Sequence, residues 1–314
     1  MITPEWIGAD EVQRRVSPDA ARRLLQQALA GGFDPAGDPP RSGPQLGAGQ
    51  LLIMPSQTVD AVGVKVLSVA PDNPARGLPR IQAWYILMDA ATLTPSVLLD
   101  GSALTALRTP GMSMVGVDAL APAVVDEAVI FGSGPQALGH ARALLEIRQP
   151  GRCRFYSVDG QAPAAAEAAT GIGLPSSALA ADEVGQAVAA ADLILCCTSA
   201  PTPLFDGALV RDGACVVAIG SHEPERRELD ATLMGRAQVV VEDVDTALRE
   251  AGDVILAIAD RTLAASDLVT ISQVVTGRAG RATDRPNVFK TVGMSWQDLV
   301  VAEGVAAAEG GPVG

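Results

Sequence analysis

Residues 126–147, DEAVIFGSGPQALGHARALLEI, decide the fold of this chain of 314 residues. An apolar run ends at Gly132, a short turn follows, and an amphipathic helix begins after Gly134. A strand, a GxGxxA turn and a helix in this order are typical of a dinucleotide-binding βαβ unit, in which Ala137 lets the helix pack closely on the strand. We therefore predict that a nicotinamide cofactor places its pyrophosphate on the turn. The residues predicted to surround the pyrophosphate are Gly132, Ser133, Gly134, Pro135 and Gln136.

Further apolar runs follow at the spacing of alternating strands and helices. They lie at 152–158, 191–198, 214–220 and 237–243. Continuous apolar strands between helices are typical of a parallel sheet that is covered on both faces. We predict an α/β fold in which residues 122–286 form a Rossmann domain, a doubly wound parallel sheet.

The second strand of that domain ends near Ser157 and Asp159, where such folds recognise the ribose of the cofactor. Asp159 would accept a hydrogen bond from the 2′-hydroxyl of NAD. Ser157 would leave room for the 2′-phosphate of NADP. The sequence leaves the choice between NAD and NADP open.

The remaining residues, 1–121 and 287–314, have a different pattern. It predicts a helix over 17–30, three strands in an antiparallel sheet, and a C-terminal helix from Ser295, with Ser295 and Asp298 as a capping box. Another helix is predicted to start near Thr109, just before Pro110. The three strands are predicted at 50–54, 61–70 and 80–89. We therefore predict an α+β unit around the Rossmann domain.

Composition limits the classes of partner that the protein can bind and predicts its location in the cell. The net charge of −13 argues against nucleic acid and anionic membranes, because both require clustered basic residues. The absence of a long apolar run and of a signal peptide predicts a cytoplasmic protein without a membrane span. The four cysteines lack CxxC spacing, so we expect buried free thiols and no metal site.

Lysine and histidine are scarce in this chain, which has two of each. Lys65 and Lys290 are the only lysines among 23 basic residues, and a buried lysine can lose its proton. His140, one turn into the helix after the glycine turn, is predicted to be structural. His222 follows an apolar strand, and the charged segment behind it is predicted to be solvated.

Five segments together resemble the ornithine cyclodeaminase/mu-crystallin family. The resemblance implies a Rossmann domain inserted into a substrate-binding and dimerisation domain formed by residues 1–121 and 287–314. It also implies a homodimer that binds NAD or NADP and acts on an L-amino acid or its imine. The segments are VGVKVLSVAPDNPARGLP (62–79), ALTALRTPGMSMVG (103–116), FGSGPQALGHARALL (131–145), AIGSHEPERRELD (218–230) and FKTVGMSWQDL (289–299).

The resemblance also implies roles for individual residues. Lys65 and His222 are the implied acid–base candidates, and Arg41, Lys65 and Arg108 would bind the substrate carboxylate, with Val292 beside the substrate. An arginine suits a carboxylate because its guanidinium group can donate two parallel hydrogen bonds. The implied cofactor contacts beyond the glycine turn and the ribose position are Arg108, Thr109, Thr198, Ala218, Ile219, Gly220, Ser221, Arg226, Lys290 and Thr291.

Two departures from the cyclodeaminases guide the prediction of function. His222 stands where those enzymes have an aspartate, and Leu52 where they have a glutamate that helps to hold a cationic side chain. We therefore predict NAD(P)H-dependent reduction of a cyclic ketimine such as Δ1-pyrroline-2-carboxylate, or the related amino-acid dehydrogenase reaction. Ornithine cyclodeamination and a non-catalytic cofactor-binding protein are the alternatives. His222 either faces the substrate or is a loop residue without a catalytic part.

Overall fold

The computed structural model describes residues 3–308, which fold into two compact units. The first unit extends to Met112 and resumes at Met294, and the second unit comprises Ser113–Gly293. The chain passes from one unit to the other close to the predicted boundaries of the Rossmann domain, residues 122 and 286. The domain assignment itself stays a prediction. Within the described range, every helix is too short or too polar to cross a bilayer.

The first unit contains a six-stranded sheet. Its strands are β1 (Glu5–Ile7), β2 (Gln45–Leu46), β3 (Gly49–Gln57), β4 (Ala61–Val69), β5 (Ile81–Asp89) and β6 (Pro95–Asp100). Its helices are α1 (Ala9–Arg15), α2 (Pro18–Ala30) and α3 (Gly101–Leu120), the last of which continues into the second unit. The sheet order is β1-β6-β5-β4-β3-β2, and only β1 runs parallel to its neighbour. The predicted antiparallel pairing is thus confirmed for β3, β4 and β5, and the sheet also includes β1, β2 and β6, which the sequence pattern did not predict.

The second unit is an eight-stranded sheet with helices between its strands. The strands are β7 (Glu127–Phe131), β8 (Arg152–Tyr156), β9 (Ser176–Ala178), β10 (Leu193–Cys196), β11 (Cys215–Ala218), β12 (Gln238–Val241), β13 (Val269–Thr270) and β14 (Asn287–Lys290). The helices are α4 (Pro135–Ile147), α5 (Ala162–Gly171), α6 (Val184–Ala190), α7 (Ala231–Arg236), α8 (Val244–Glu250), α9 (Gly252–Ala259) and α10 (Ile271–Val275).

All strands of this second sheet are parallel, in the order β13-β12-β14-β11-β10-β7-β8-β9. The chain moves outward from β7 through β8 and β9 and then returns to the other side of β7 at β10. Ligands of such sheets bind at the carboxyl ends of the strands where the direction reverses, here at β7 and β10. The predicted doubly wound sheet is confirmed.

The C-terminal helix α11 (Ser295–Ala307) returns to the first unit and packs on β3, β4, β5 and α2. It buries the face of the sheet that carries Lys65 and Tyr85, which are 1% and 0% exposed. Side chains of a strand alternate between the two faces, so Trp84 points to the opposite side and is 58% exposed. One face of this sheet is therefore covered by helix and the other carries exposed aromatic surface.

The predicted helix start near Thr109 is wrong. Helix α3 begins at Gly101, because Oδ1 of Asp100 accepts hydrogen bonds from the backbone N–H groups of Ser102 and Ala103, each at 2.9 Å. Pro110 lies inside the helix rather than at its first turn.

The predicted capping box of Ser295 and Asp298 is also wrong. The N-cap of α11 is Met294, and Asp38 from a distant loop supplies the carboxylate, because its Oδ2 accepts from the N–H of Trp296 at 2.7 Å. Burial raises the pKa of Asp38 to about 6. The carboxylate of Asp298 is therefore not used in the cap.

Candidate functional site

The glycine turn after β7 brings two strands together and leaves space at a helix end. The N–H of Gly132 donates to the carbonyl of Tyr156 at 2.8 Å, and its φ of 116° favours glycine. A Cβ atom on Gly132 would come within 2.6 Å of the carbonyl oxygen of Cys197, whereas one on Gly134 would meet nothing within 4 Å. Open space therefore lies at the N-terminus of α4, where Pro135 is the first helical residue. A pyrophosphate group fits such a place.

Two of the predicted cofactor residues, Ser133 and Ser157, donate to the exposed carboxylate of a third, Asp159. Ser133 Oγ donates to the two oxygens of Asp159 at 3.2 and 3.1 Å, and the hydroxyl of Ser157 donates to Oδ1 of Asp159. The hydrogen bond from Ser157 is the main cause of the lowered pKa of Asp159. The end of β8 thus presents an ionised carboxylate that can accept a hydrogen bond from a ribose hydroxyl.

Glu228 joins the ends of β10 and β11. Its Oε1 accepts from the N–H and the hydroxyl of Thr198 at 2.9 and 2.7 Å, and its Oε2 accepts from the N–H of Gly220 at 2.7 Å. The prediction of a solvated segment after His222 is therefore wrong at Glu228, which is 0% exposed because the segment folds back onto the strand ends. Burial raises the pKa of Glu228 to about 7.

Lys290 lies inside the second unit at the end of β14. Its Nζ donates to the carbonyl of Ala218 at 3.2 Å and pairs with Oδ2 of Asp253 at 3.2 Å. Oδ1 of Asp253 accepts from the N–H groups of Glu228 and Leu229 at 2.7 and 2.8 Å. Lys290 and Asp253 therefore support the same strand ends that Glu228 joins.

The segment after β14 is fixed by another acidic residue, Glu242. Thr291 Oγ1 donates to Oε1 of Glu242 at 2.5 Å, and the N–H groups of Val292 and Gly293 donate to Oε2 at 2.8 and 3.1 Å. The N–H of Thr291 also donates to the carbonyl of Ala218 at 3.1 Å. Thr291 and Val292 are thereby held next to the end of β11.

The loop after β11 is held by hydrogen bonds to backbone carbonyl groups, both of the loop itself and of the neighbouring strand and loop. The N–H of Ile219 donates to the carbonyl of Cys196 at 3.1 Å, and the buried Ser221 hydroxyl donates to the carbonyl of Arg226 at 2.5 Å. Arg226 Nη1 donates in turn to the carbonyl of Ser199 at 3.1 Å. Arg226 is thus fixed beside the loop that follows β10.

His222 lies exposed on this loop. Its Nδ1 is 3.3 Å from the carbonyl oxygen of Gly220. Histidine changes charge near neutral pH, which suits acid–base chemistry as well as a solvated loop. Both interpretations of His222 stay open.

The first unit contains a buried cluster of charges on one carboxylate. Lys65, from β4, donates through Nζ to Oδ2 of Asp298 at 2.7 Å and to Oγ1 of Thr105 at 3.2 Å. Arg108, from α3, donates through Nε to Oδ1 of Asp298 at 3.1 Å and through Nη1 to Oε1 of Gln297 at 2.9 Å. The structure therefore brings the predicted substrate residues Lys65 and Arg108 together, at the first turns of α11.

The charge state of Lys65 responds to this environment. Burial lowers its pKa most, the charge of Arg108 lowers it further, and Asp298 opposes both, so the pKa is about 7. Arg41, half-buried in the loop before β2, also lowers the pKa of Lys65 through its charge. Thr109 follows Arg108 in α3 and is half-buried. A lysine with this pKa can bind an anion or exchange a proton near neutral pH.

Sequence reasoning missed the acidic partners of the predicted residues. These are Asp298, Glu228, Asp253 and Glu242. For Asp298 a signal existed, because it is the one charged residue in a largely apolar helical segment, WQDLVVA (296–302). Such a residue requires a cationic or hydrogen-bonding partner when the helix is buried. Of the other acids, Glu228 lies in a charged stretch that resembles a solvated loop, Glu242 lies at the end of the apolar run 237–243, and Asp253 directly precedes the apolar segment 254–259.

Comparisons with known proteins agree with these features. The family model described as "Ornithine cyclodeaminase/mu-crystallin family" matches residues 19–308. A Δ1-pyrroline-2-carboxylate reductase of Bacillus cereus is 35% identical over 260 residues, which covers 80% of this chain and 79% of the reductase.

Two solved structures share the fold along almost the whole chain. The Thermococcus litoralis Δ1-pyrroline-2-carboxylate reductase in complex with NADH and L-proline has a TM-score of 0.89 at 26% identity and covers 96% of each chain. An archaeal alanine dehydrogenase dimer with bound NAD has a TM-score of 0.88 at 25% identity, over 96% of this chain and 94% of that one. The chain belongs to the ornithine cyclodeaminase/mu-crystallin family.

Proposed function

We propose that the protein is an NAD(P)H-dependent reductase of small cyclic ketimines, with Δ1-pyrroline-2-carboxylate as the representative substrate. The observation that carries the proposal is the buried cluster of Lys65 and Arg108, which share the single carboxylate of Asp298. The cluster keeps an excess of positive charge, which a substrate carboxylate can neutralise. Reductases of this substrate are among the similar proteins.

In the proposed reaction, Arg41, Lys65 and Arg108 bind the substrate carboxylate. NAD(P)H, when bound, would supply the hydride for the C=N carbon; the nitrogen would take up one proton, so the products would be an L-amino acid and NAD(P)⁺. Lys65 can donate that proton because its pKa is about 7. His222 and a water molecule are the other candidate donors, and Val292 would lie beside the substrate. Run in reverse, the same chemistry is an amino-acid dehydrogenation.

The second unit would hold the cofactor. The open space at the N-terminus of α4 suits the pyrophosphate, and Asp159 suits a ribose hydroxyl, which is compatible with NAD, while the choice between NAD and NADP stays open. The contacts proposed from the sequence are kept here as part of the proposal: Arg108, Thr109, the turn 132–136, Ser157, Asp159, Thr198, residues 218–221, Arg226, Lys290 and Thr291.

The surroundings of Lys65 favour a ketimine over ornithine. Met54 lies opposite Lys65 and Leu52 opposite Leu67, so these residues share one face of the sheet. Met54, Leu67 and Ala83 form an apolar cluster against which Leu52 packs. Apolar neighbours stabilise the methylene groups of a ring and disfavour the ammonium group of an ornithine side chain.

The test is incubation of the protein with Δ1-pyrroline-2-carboxylate and NADH or NADPH. We expect L-proline in amounts equal to the nicotinamide oxidised. A parallel reaction contains ornithine and NAD without an added oxidant. Proline and ammonia in excess of the NAD supplied would establish cyclodeamination instead. Tight cofactor binding without turnover of any imine would establish a non-catalytic cofactor-binding protein.

The proposal includes a homodimer in the cytoplasm. Trp6 and Trp84 lie on the uncovered face of the first unit's sheet, 51% and 58% exposed, with ring centroids 4.9 Å apart. Exposed aromatic surface of this kind is typical of protein interfaces. A second copy of the same face is the proposed partner, and one similar structure is a dimer. The four free cysteines suit a reducing compartment.

A further inference from the structure

Among the described residues, Asp298 is the only carboxylate in contact with both Lys65 and Arg108. One oxygen accepts from Lys65 at 2.7 Å and the other from Arg108 at 3.1 Å. The side chain is 0% exposed, so bulk solvent does not reach these oxygens. Because Asp38 caps helix α11, the carboxylate of Asp298 contributes nothing to the helix start. Its contacts therefore serve the two cations.

The charges of the cluster do not cancel. Lys65 and Arg108 carry two positive charges when Lys65 is protonated, and Asp298 carries one negative charge. Gln297 accepts from Arg108 at 2.9 Å without adding charge. One positive charge is left over on Lys65, Arg108 and Asp298 taken together. Asp298 thus makes burial of the two cations possible and still leaves the cluster attractive to a singly charged carboxylate.

We propose that Asp298 is a positioning residue that keeps Lys65 protonated and aims Lys65 and Arg108 at the carboxylate of the substrate. This inference rests on the proposed function, since it assumes that the cluster binds that carboxylate. Asp298 acts through its two partners and does not itself contact the substrate.

The groups that influence the charge of Lys65 come from every element around it. Burial and two arginine charges favour the neutral amine, and Asp298 favours the ammonium form. Tyr85, opposite Lys65 on β5, stays neutral because burial raises its pKa well above the usual value. Arg108 on α3, Asp298 on α11 and Arg41 in the loop before β2 act on the charge of Lys65, whereas Tyr85 on β5 and Asp38 in the same loop interact with the charge of Asp298. Loss of the Asp298 charge is therefore expected to lower the pKa of Lys65 below about 7.

The test measures binding of pyrrole-2-carboxylate, a planar carboxylate without an imine nitrogen, by calorimetry across a pH series. In the wild type we expect affinity to decline as pH rises through the pKa of Lys65. In Asp298→Asn the midpoint of this decline should move down by about one pH unit or more, the usual effect of an opposite charge at this distance. In Gln297→Glu, which adds a negative charge on Arg108, the midpoint should move up.

Asp192→Asn serves as the matched control, because it removes a buried carboxylate that pairs with Arg211 in the second unit. Its midpoint should equal that of the wild type. If Asp298→Asn does not fold, the shift of the pH midpoint in Gln297→Glu is the result that decides the test. Weaker binding with an unmoved midpoint in both variants would overturn the positioning role and leave the proposed function intact. No carboxylate binding by the wild type at any pH would overturn the proposed function together with this inference.

Discussion

His140 is a buried histidine whose two ring nitrogens are both used in the second unit. Nδ1 lies 2.7 Å from the carbonyl oxygen of Gln136, which can only accept, so Nδ1 carries the proton. Nε2 then accepts from the hydroxyl of Ser113 at 2.8 Å. Burial lowers the pKa of His140 to about 4, so the ring is neutral near pH 7. These contacts agree with the structural role predicted from the sequence.

His140 should make the protein less stable in acid. Between about pH 6.5 and pH 4 the unfolded chain binds a proton at this residue and the folded chain does not, so the free energy of unfolding falls as the pH falls. A pKa difference of this size corresponds to a loss of about 3 kcal/mol. His140→Gln keeps a donor and an acceptor but cannot be protonated, and should lack this loss.

Urea unfolding of both proteins across this pH range measures the effect. The comparison uses the difference between the two proteins, because Glu228 and Asp38, with raised pKa values, change stability in the opposite direction over part of the same range. Parallel curves for wild type and His140→Gln would mean that His140 is protonated equally in the folded and unfolded chains.

The acidic residues of the site show where sequence reasoning reaches its limit. Lys65 and Arg108 stand in recognisable motifs, and the structure brings them together. Asp298 is 233 residues from Lys65 along the chain, and its spacing to Ser295 imitates a local capping box. The local pattern predicts a capping role for Asp298, whereas the folded chain uses it in a distant ion pair. Only the packing of α11 on β4 decides between these two roles.

At the scale of elements, the side chain of Glu228 links the carboxyl ends of β10 and β11 through hydrogen bonds. Three donors, the N–H and hydroxyl of Thr198 and the N–H of Gly220, converge on Glu228. The approach is so close that a Cβ atom on Gly220 would lie 1.7 Å from the carbonyl oxygen of Thr198. Since all three groups are donors, an acceptor with two equivalent oxygens is required between them.

Glu228→Gln should therefore weaken the hydrogen-bonded link between the ends of β10 and β11. The amide NH₂ group would face at least one N–H donor, which leaves a buried polar group unpaired at a cost of about 1–3 kcal/mol in the free energy of unfolding. We also expect the Kd for NAD(P)H to rise by about tenfold, since such a cost corresponds to that factor in binding.

Chemical denaturation and a fluorescence titration with NADH, both at a pH well above the Glu228 pKa of about 7, check the two effects. Glu167→Gln on the exposed side of α5 is the control and should change neither quantity. Unchanged cofactor affinity in Glu228→Gln would mean that the link between the ends of β10 and β11 does not contribute to the cofactor site.

The strands and their order show a similar limit of prediction from the sequence. The strand–turn–helix at 126–147 was predictable because glycine turns and apolar runs are local features. The short strands β9 and β13 were missed, since three and two residues carry too little pattern. The place of β14 between β11 and β12 was also beyond the sequence, because pairing with distant strands decides it.

At the scale of the whole molecule, we expect the uncovered face of the first unit's sheet to be the surface that a second copy buries. Trp84 stands in the middle of this face, on β5, and contacts Trp6 from β1. Truncation or charge at a central aromatic residue of an interface typically costs about 2 kcal/mol or more. The dimer should therefore depend on Trp84 far more than on an exposed residue elsewhere.

We expect the wild type to sediment at twice the chain mass of 32.1 kDa and Trp84→Glu to sediment at the mass of one chain. A carboxylate buried without a partner in the apolar interface is the physical reason, because its desolvation is not compensated. Val59→Glu is the control, since Val59 is 94% exposed in the turn between β3 and β4 and should leave the dimer intact. Sedimentation velocity with circular dichroism separates dissociation from unfolding. A folded Trp84→Glu that still sediments as a dimer would assign the interface to another surface, and a monomeric wild type would contradict the dimer itself.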